Sequence, residues 1–338
     1  MRKLAFTMIC AVSFSAWAQA QDEQGPELSF SGSVDTYYRA NLNSTNDASN
    51  GGTLAPGTSF ANGPGFSLGM FNLITEYGSE KAGFLADMVF GPRGAEAVFG
   101  SPAPLNLVNQ LYVYWNVSDK VTLTLGNFNT FLGYEVISPT GNFNYSTSYM
   151  FSYGPFSHSG LKADVDLGGG FSVMGAVLNT TDATDFNPMG EIYGGAQLGY
   201  SNESLDVFVN GLFTSGFWQV DLTSGWTPSD LLYIGLNSTV ASDNFTGVAG
   251  YLQVSTTDKL AIGARGEYFL DQGVGVLNPD ESVVDLTLSA NYTIGGLTLI
   301  PEFRVDMYSE EDVVITDAVS DSRASALSSF LLAAVFAF

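Results

Sequence analysis

The C-terminal stretch Leu327–Phe338 reads LSSFLLAAVFAF, and it decides the fold class. Every second residue counted back from the end is apolar, so one face of a strand carries Phe338, Phe336, Ala334, Leu332 and Phe330. A soluble domain seldom ends on such a strand, because an exposed apolar edge recruits other chains. A closed barrel removes that edge by pairing the last strand with the first. The stretch therefore predicts the closing strand of a barrel, with the edge strand of a soluble sandwich as the alternative.

The first twenty residues have the pattern of a signal peptide. Met1–Lys3 are positively charged, Leu4–Phe14 form an apolar core too short to span a bilayer, and Ala18–Ala20 form a cleavage site of the A-x-A type. A second cleavage site lies two residues earlier, at Ala16–Ala18. The only cysteine, Cys10, lies inside this segment, so the mature chain has no disulfide. We predict an exported protein with a signal peptide at 1–20 and one domain at 21–338.

The composition favours a domain that faces lipid. Only 13% of the residues are charged, against about 25% in typical soluble domains, and another 13% are aromatic. No run of about twenty apolar residues follows the signal peptide, so we expect no transmembrane helix. The formal net charge of −23 excludes nucleic acid as a partner and favours cations near the protein.

Apolar and polar residues alternate with a period of two, most clearly in Leu28–Ala40, Leu260–Leu270 and Leu297–Met307. Short turns and mostly longer connections follow one another without a break. We place the turns at 78–80, 118–119, 168–170, 201–202, 227–229, 256–258 and 295–296, and the connections at 41–65, 92–106, 132–157, 180–190, 214–216, 242–244, 271–281 and 309–325. This parity is typical of an all-β fold, a transmembrane up-and-down antiparallel β-barrel of about sixteen strands. Its short turns and both termini lie on the periplasmic side, and its longer loops are external.

The residues that alternate with the apolar face point into the lumen, and acids outnumber bases among them. The predicted inward acids are Asp35, Asp87, Asp164, Asp166, Asp206, Asp221, Glu267, Asp285, Glu302 and Asp306, and the predicted inward bases are Arg39, Lys162, Arg265 and Arg304. A lumen with this balance favours cations. The neighbouring opposite charges around Arg265 and Arg304 have two open interpretations. They form either a transverse field across a constriction or salt bridges within the wall.

The stretch 125–160 contains the motifs GNF at 126–128, FLGYE at 131–135 and PFSHSG at 155–160. These motifs resemble the OmpL-like family of β-barrel porins, and they cover about a tenth of the chain. The resemblance implies an outer-membrane pore. The terminal Phe338, with Phe336 two residues before it, resembles the signal by which the barrel assembly machinery recognises outer-membrane barrels.

The third external connection contains a candidate constriction loop at 133–156. Its glycines and prolines exclude regular strand pairing over most of its length. Its aromatic side chains are costly to leave in water, so the loop should pack against other parts of the protein. Folding into the lumen would bury them and place Glu135 in the constriction. Packing on the barrel rim or on a neighbouring subunit is the alternative.

An enzyme is the weaker interpretation. His158 is the only histidine, and its neighbours Ser157 and Ser159 point to the opposite face of a strand, so neither is placed for activation by the imidazole. No cluster has the spacing of metal ligands, and no cofactor motif occurs. We therefore predict no catalytic, metal or cofactor-binding residues.

Together these patterns predict an outer-membrane porin of the Gram-negative type that passes small hydrophilic solutes and ions with a bias toward cations. The expected partners are outer-membrane lipid, the barrel assembly machinery and the solutes, with a homo-oligomer left open. The alternative function is a structural or adhesive surface barrel whose pore is plugged by the aromatic loop; a barrel hydrolase is the weakest interpretation.

Overall fold

The computed structural model describes residues 26–338, so the predicted signal peptide lies outside the described residues. Within this range sixteen antiparallel strands close into one barrel, which confirms the predicted fold class. The barrel strands are β1 (Glu27–Asn41), β2 (Gly65–Gly78), β3 (Ala82–Phe90), β4 (Val108–Ser118), β5 (Val121–Asn129), β6 (Ser157–Gly168), β7 (Phe171–Leu178), β8 (Tyr193–Ser201), β9 (Leu205–Thr214), β10 (Phe217–Ser229), β11 (Leu232–Ala241), β12 (Phe245–Ser255), β13 (Leu260–Asp271), β14 (Ser282–Ile294), β15 (Leu297–Tyr308) and β18 (Ala326–Ala337).

The last strand closes the barrel. β18 pairs with β15 on one side and with β1 on the other, in a register that runs from Ser33 opposite Ala337 to Asn41 opposite Ser329. Beyond that ladder, Gly32 and Phe338 exchange both backbone hydrogen bonds, each at 3.1 Å. The apolar edge of the C-terminal strand is therefore fully paired.

The two rims carry connections of different length. One rim has short turns and both ends of the described chain, and we call it the periplasmic rim. The other rim carries eight external loops, L1 (42–64), L2 (91–107), L3 (130–156), L4 (179–192), L5 (215–216), L6 (242–244), L7 (272–281) and L8 (309–325). L8 contains a small hairpin of β16 (Val314–Asp317) and β17 (Ser322–Ala324).

The described part of the chain contains little helix. L2 holds α1 (Pro92–Ala97), L3 holds α2 (Tyr149–Tyr153), and single 3₁₀ turns occur at Ala48–Asn50 and Pro139–Gly141. Between residues 26 and 338, no helix combines the length and apolarity that a membrane crossing requires.

The outer face of the barrel is apolar and the inner face is largely polar. On β18, Phe330, Leu332 and Phe336 are 37–48% exposed on the outside, whereas Leu331 and Val335 are buried inside. The same alternation places Ser33 and Asp35 inside β1 and leaves Val34 on the outer face. The period-two pattern therefore separates a face for lipid from a face for the lumen.

Two prolines interrupt the ladders locally. The predicted turn at 227–229 is wrong by two residues, because β10 continues to Ser229 and residues 230–231 make the turn. The ladder between β10 and β11 shifts register between Trp226 and Ser229, around Pro228. Between β14 and β15, pairing is broken from Leu299 to Glu302, around Pro301. Proline has no N–H to donate, so a gap in the ladder is the expected result.

Candidate functional site

L3 enters the barrel and packs against the inner wall of β13, β15 and β1. Tyr145 and Tyr149 are 1% and 0% exposed. The backbone N–H groups of Tyr145 and Ser146 donate to the two carboxylate oxygens of Glu302, at 2.8 and 3.2 Å. The Tyr145 hydroxyl donates to the Asp35 carboxylate on the neighbouring part of the wall. Burial raises the pKa of Tyr145, so its phenol stays a neutral donor at physiological pH.

A second carboxylate holds the short helix α2. Glu267 accepts hydrogen bonds from the backbone N–H groups of Tyr149 and Met150, at 2.8 and 2.7 Å. Glu135, inside L3 itself, accepts one from the Ser148 N–H at 2.7 Å. Orphan N–H groups at the start of a helix favour negative charge, so these carboxylates fix the position of α2.

Two arginines join these acids into a network of Glu135, Arg265, Asp285, Arg304 and Asp306. Arg265 lies 2.6 Å from Glu135 and 2.8 Å from Asp285. Arg304 lies 2.9 Å from Asp285 and 2.6 Å from Asp306. All five residues are buried, so the charges are compensated by one another rather than by water.

The strand register explains the network. Glu267, Asp285 and Asp306 are direct cross-strand neighbours on β13, β14 and β15. Arg265 and Arg304 lie two residues away on the same inward face, so a row of acids runs beside a row of bases. The charges therefore lie together on one wall, which favours the interpretation as wall salt bridges over a transverse field.

The same arginines also bind the L3 backbone. Arg265 donates to the Ser146 carbonyl at 2.8 Å, and Arg304 donates to the Thr147 carbonyl at 2.7 Å. Wall side chains thus satisfy both the donors and the acceptors of this irregular segment, which has no strand partner.

Asp221, on the inner face of β10, anchors the beginning of the loop. Its carboxylate accepts from the Gly133 N–H at 3.0 Å and from the side chains of Asn210, Asn237 and Thr239 at 2.6–2.8 Å. Gly133 has φ 85°, a left-handed conformation that glycine adopts without strain. Neutral donors surround this acid, so its charge is not cancelled by a base.

L1 fills the lumen beside L3. Buried Arg39 donates to the Leu54 carbonyl at 2.7 Å and to Asn41 Oδ1 at 3.0 Å, and it has no acidic partner within 4.0 Å among residues 26–338. The cavity that remains between Arg39 and Arg304 measures only about 10 Å³, room for about one water molecule.

The wall formed by β4–β9 keeps contact with water. Lys162 Nζ lies 3.1 Å from Asp164 Oδ2, and their side chains are 15% and 22% exposed. Asp166 and Asp206 are half-buried, and Glu76, two strands away on β2, is exposed. The other ionisable residues that the sequence predicts for the lumen are buried, namely Asp35, Arg39, Asp87, Glu135, Asp221, Arg265, Glu267, Asp285, Glu302, Arg304 and Asp306. Among these predicted pore residues, Lys162, Asp164, Asp166 and Asp206 are therefore the ones that stay accessible to solvent.

Sequence reasoning missed Arg93, on α1 in L2. Its side chain is buried, donates to the Ile137 carbonyl at 2.9 Å and the Tyr145 carbonyl at 3.3 Å, and stacks on the Phe60 ring at 4.4 Å. It therefore ties L1, L2 and L3 together. A single arginine in a predicted external loop has no sequence pattern that would predict a buried position between three loops.

His158 lies at the base of L3 and is completely buried. Its Nε2 lies 2.9 Å from Thr130 Oγ1, and its ring packs 5.0 Å from that of Phe131. No described carboxylate contacts this imidazole, so the arrangement is one of packing. Nor do residues 26–338 contain a group of three or more His, Cys, Asp or Glu side chains placed to hold a metal ion.

Comparisons with known proteins are consistent with this architecture. The model of the family described as "Putative beta-barrel porin-2, OmpL-like" matches residues 27–338. No curated protein sequence matches the chain.

Several solved outer-membrane structures superpose on the barrel. The trimer form of in-vitro folded OmpT, an outer membrane protein of Vibrio cholerae, has a TM-score of 0.60 at 12% identity and covers 93% of this chain and 100% of its own. An anion-selective porin from Comamonas acidovorans has a TM-score of 0.56 at 10% identity, with 93% and 100% covered. A mutant of the Rh. blastica porin has a TM-score of 0.55 at 12% identity, with 92% and 100% covered. At these identities the likeness establishes the fold alone.

Proposed function

The chain belongs to the OmpL-like family of β-barrel porins, and from this premise we propose that it forms a water-filled channel for small hydrophilic solutes with a preference for cations. The outer membrane is its location, as for the barrels that share its fold. The observation that carries the proposal is the partly exposed pair Lys162 and Asp164 on the wall opposite the packed loop.

The proposed path follows the inner face of β4–β9. The opposite side is filled by L1 and L3, whose contacts leave little space beside Arg39. The charged residues Lys162, Asp164, Asp166 and Asp206 on this path keep partial exposure, as expected of side chains that border water. L3 is then the element that narrows the channel.

The proposed cation preference rests on the sum of charge around the path. Along the path the partly exposed acids are Asp164, Asp166 and Asp206, with Glu76 on nearby β2, against the base Lys162. Behind them, the buried acids outnumber the buried arginines. The fold does not set the sign of selectivity, since a neighbour with the same fold is described as anion-selective. The sign has to come from side chains such as these.

The test is the zero-current potential of the reconstituted protein across a salt gradient. At about 0.1 M salt the Debye length is about 10 Å, so the charged wall should enrich cations, and the preference should fade at about 1 M, where that length is about 3 Å. Asp164→Asn should weaken the preference, and Lys162→Met should strengthen it. Glu311→Gln, which removes an exposed acid from L8, is the matched control. Anion preference at low salt would refute the proposed selectivity.

A structural barrel with a plugged pore is the second candidate. The dense hydrogen bonding of L3 to the wall favours it, since the start of α2 and the residues before it are held. Planar-bilayer conductance separates the two functions. Stable open-channel steps support the porin, and silence from folded protein supports the plug.

The proposed partners follow from the surface and from the neighbours. The apolar outer face suits lipid, and the terminal aromatic strand suits recognition by the barrel assembly machinery. A homo-oligomer remains a proposal, supported by the trimer form of a protein with the same fold.

A further inference from the structure

Tyr114, on the inner face of β4, reaches across two glycines of the wall with the hydroxyl end of its ring. Gly78, Gly83 and Tyr114 are cross-strand neighbours on β2, β3 and β4. A methyl group added to Gly83 would lie 2.5 Å from the Tyr114 hydroxyl oxygen and 2.6 Å from its Cζ, and one added to Gly78 would also overlap the hydroxyl. The ring therefore occupies the space that side chains at these positions would take. Tyr114 is only partly buried, which leaves ring surface in contact with the lumen.

Aromatic side chains pack over wall glycines in the same way elsewhere around the periplasmic end of the lumen. Aromatic side chains cover wall glycines at Gly199, Gly225 and Gly263, with their nearest atoms 2.5–2.8 Å from an added methyl group. The three rings are Phe208, Tyr233 and Phe143, and each is partly exposed. Phe208 and Tyr233 lie within four residues of a periplasmic turn, and Tyr114 lies five residues before one. Aromatic surface thus lines the vestibule below L3.

The vestibule is also acidic. Glu76, on β2, lies two residues from Gly78, so its side chain shares the inward face of the strand. It is the inward position next to Gly78, over which the Tyr114 hydroxyl lies. The Glu76 side chain is exposed. Lys162, the base in the same cross-strand row as Tyr114, is already paired with Asp164.

We propose that Tyr114 and Glu76 form a subsite for organic cations of the alkylammonium class. This inference rests on the channel function proposed above and names a substrate class for it. The face of an aromatic ring attracts a cation whose charge is spread over methyl groups, because the ring quadrupole is negative on its face. The Glu76 carboxylate adds a full negative charge beside that face. A neutral solute of the same shape would gain the ring contact but not the charge interaction.

The experiment uses the full folded barrel and two isosteric probes, choline and the neutral alcohol 3,3-dimethylbutan-1-ol. Binding is measured by calorimetry on detergent-folded protein, and block of the potassium current is measured in planar bilayers. Choline should bind and slow the current at concentrations where the alcohol does neither. Tyr114→Leu and Glu76→Gln should each weaken choline binding about threefold to tenfold.

The control is Tyr77→Leu, which removes a tyrosine beside Glu76 that faces outward and is 39% exposed. This variant should bind choline as the unmodified protein does. Equal binding of both probes, or unchanged choline affinity in Glu76→Gln, would overturn the inference, and Glu76→Gln remains informative if Tyr114→Leu does not fold. Tighter binding of glucose than of choline would also overturn the inference, because it would indicate a subsite for neutral sugars. Calorimetry detects choline binding at the subsite even when the barrel conducts no current. The channel function, in contrast, is tested by the current measurement alone.

Discussion

Arg265 Nη1 lies 2.6 Å from Glu135 Oε1, and this contact joins the barrel wall to a loop residue 130 positions earlier in the chain. The same guanidinium binds Asp285 on the neighbouring strand. L3 is therefore held in the lumen by a buried ion pair that no local sequence pattern specifies. The stability of the loop and the stability of the wall are coupled through one side chain.

Arg265→Met should lower the free energy of unfolding by about 3 kcal/mol, because removal of one partner leaves buried carboxylates uncompensated. Unfolding in urea, followed by tryptophan fluorescence in lipid vesicles, gives the measurement. The matched control is Arg323→Met, which breaks an exposed ion pair with Asp321 and should change stability by less than about 1 kcal/mol. Equal effects of the two substitutions would show that the buried pair does not hold the structure.

Shortening L3 between Pro139 and Tyr153 should raise single-channel conductance while the barrel stays folded. The deletion removes the segment that packs on Glu267 and Glu302, but it leaves every ladder between barrel strands intact. It also returns those carboxylates to water, so the cation preference should increase. A deletion of similar length in L8, at 313–324, is the control and should leave conductance unchanged. Unchanged conductance in a well-folded L3 deletion would mean that L3 does not limit the path.

The barrel could be predicted from sequence because its signals are local. Alternation of period two determines which side chains face lipid, and the order of short turns and long loops determines the strand count. Both are readable within a window of about ten residues. The sixteen strands follow from these local signals, and the one misplaced turn lies at Pro228, where proline interrupts the ladder.

The arrangement inside the barrel could not be predicted in the same way. The contacts of L3 with Glu302 and Glu267 join positions 117–157 residues apart. Arg93 reaches the loop from L2, and Arg39 is covered by L1. Alternation gave the inward direction of the wall side chains, but burial depends on which loop covers them. For this reason the sequence did not distinguish Lys162 and Asp164, which keep contact with water, from the buried charges.

Phe338→Asp should lower the yield of folded barrel in the outer membrane while the refolded protein keeps nearly normal stability. The side chain is 54% exposed and its ring lies 6.4 Å from that of Phe71, so it contributes little to packing. Its backbone pairing with Gly32 does not depend on the side chain. The yield is measured by heat-modifiable migration of membrane-extracted protein. Phe171→Asp, an exposed aromatic near the same rim, is the control. A normal yield from Phe338→Asp would show that the terminal aromatic is not an assembly signal.

Asp182 of L4 should make the stability of the L3 base depend on pH. Its carboxylate accepts from the backbone N–H groups of Phe156 and Ser157, at 2.8 and 2.9 Å, where L3 ends. Burial raises the pKa of Asp182 from 3.8 to about 6, although the two N–H donors oppose that shift. The folded protein therefore binds a proton at this carboxyl more tightly than the unfolded chain does.

Because the folded pKa of Asp182 is the higher one, its contribution to stability is complete below pH 3.8 and is lost as the pH rises through about 6. Asp182→Asn removes the titration, and asparagine tolerates the left-handed backbone at this position, where φ is 62°. Relative to this variant, the unmodified protein should gain about 1 kcal/mol between pH 7 and pH 5. Urea unfolding at the two pH values measures the difference, with Asp185→Asn as the control for loss of one L4 carboxyl. A gain in the opposite direction would show that the N–H donors outweigh burial and hold the Asp182 pKa below that of the unfolded chain.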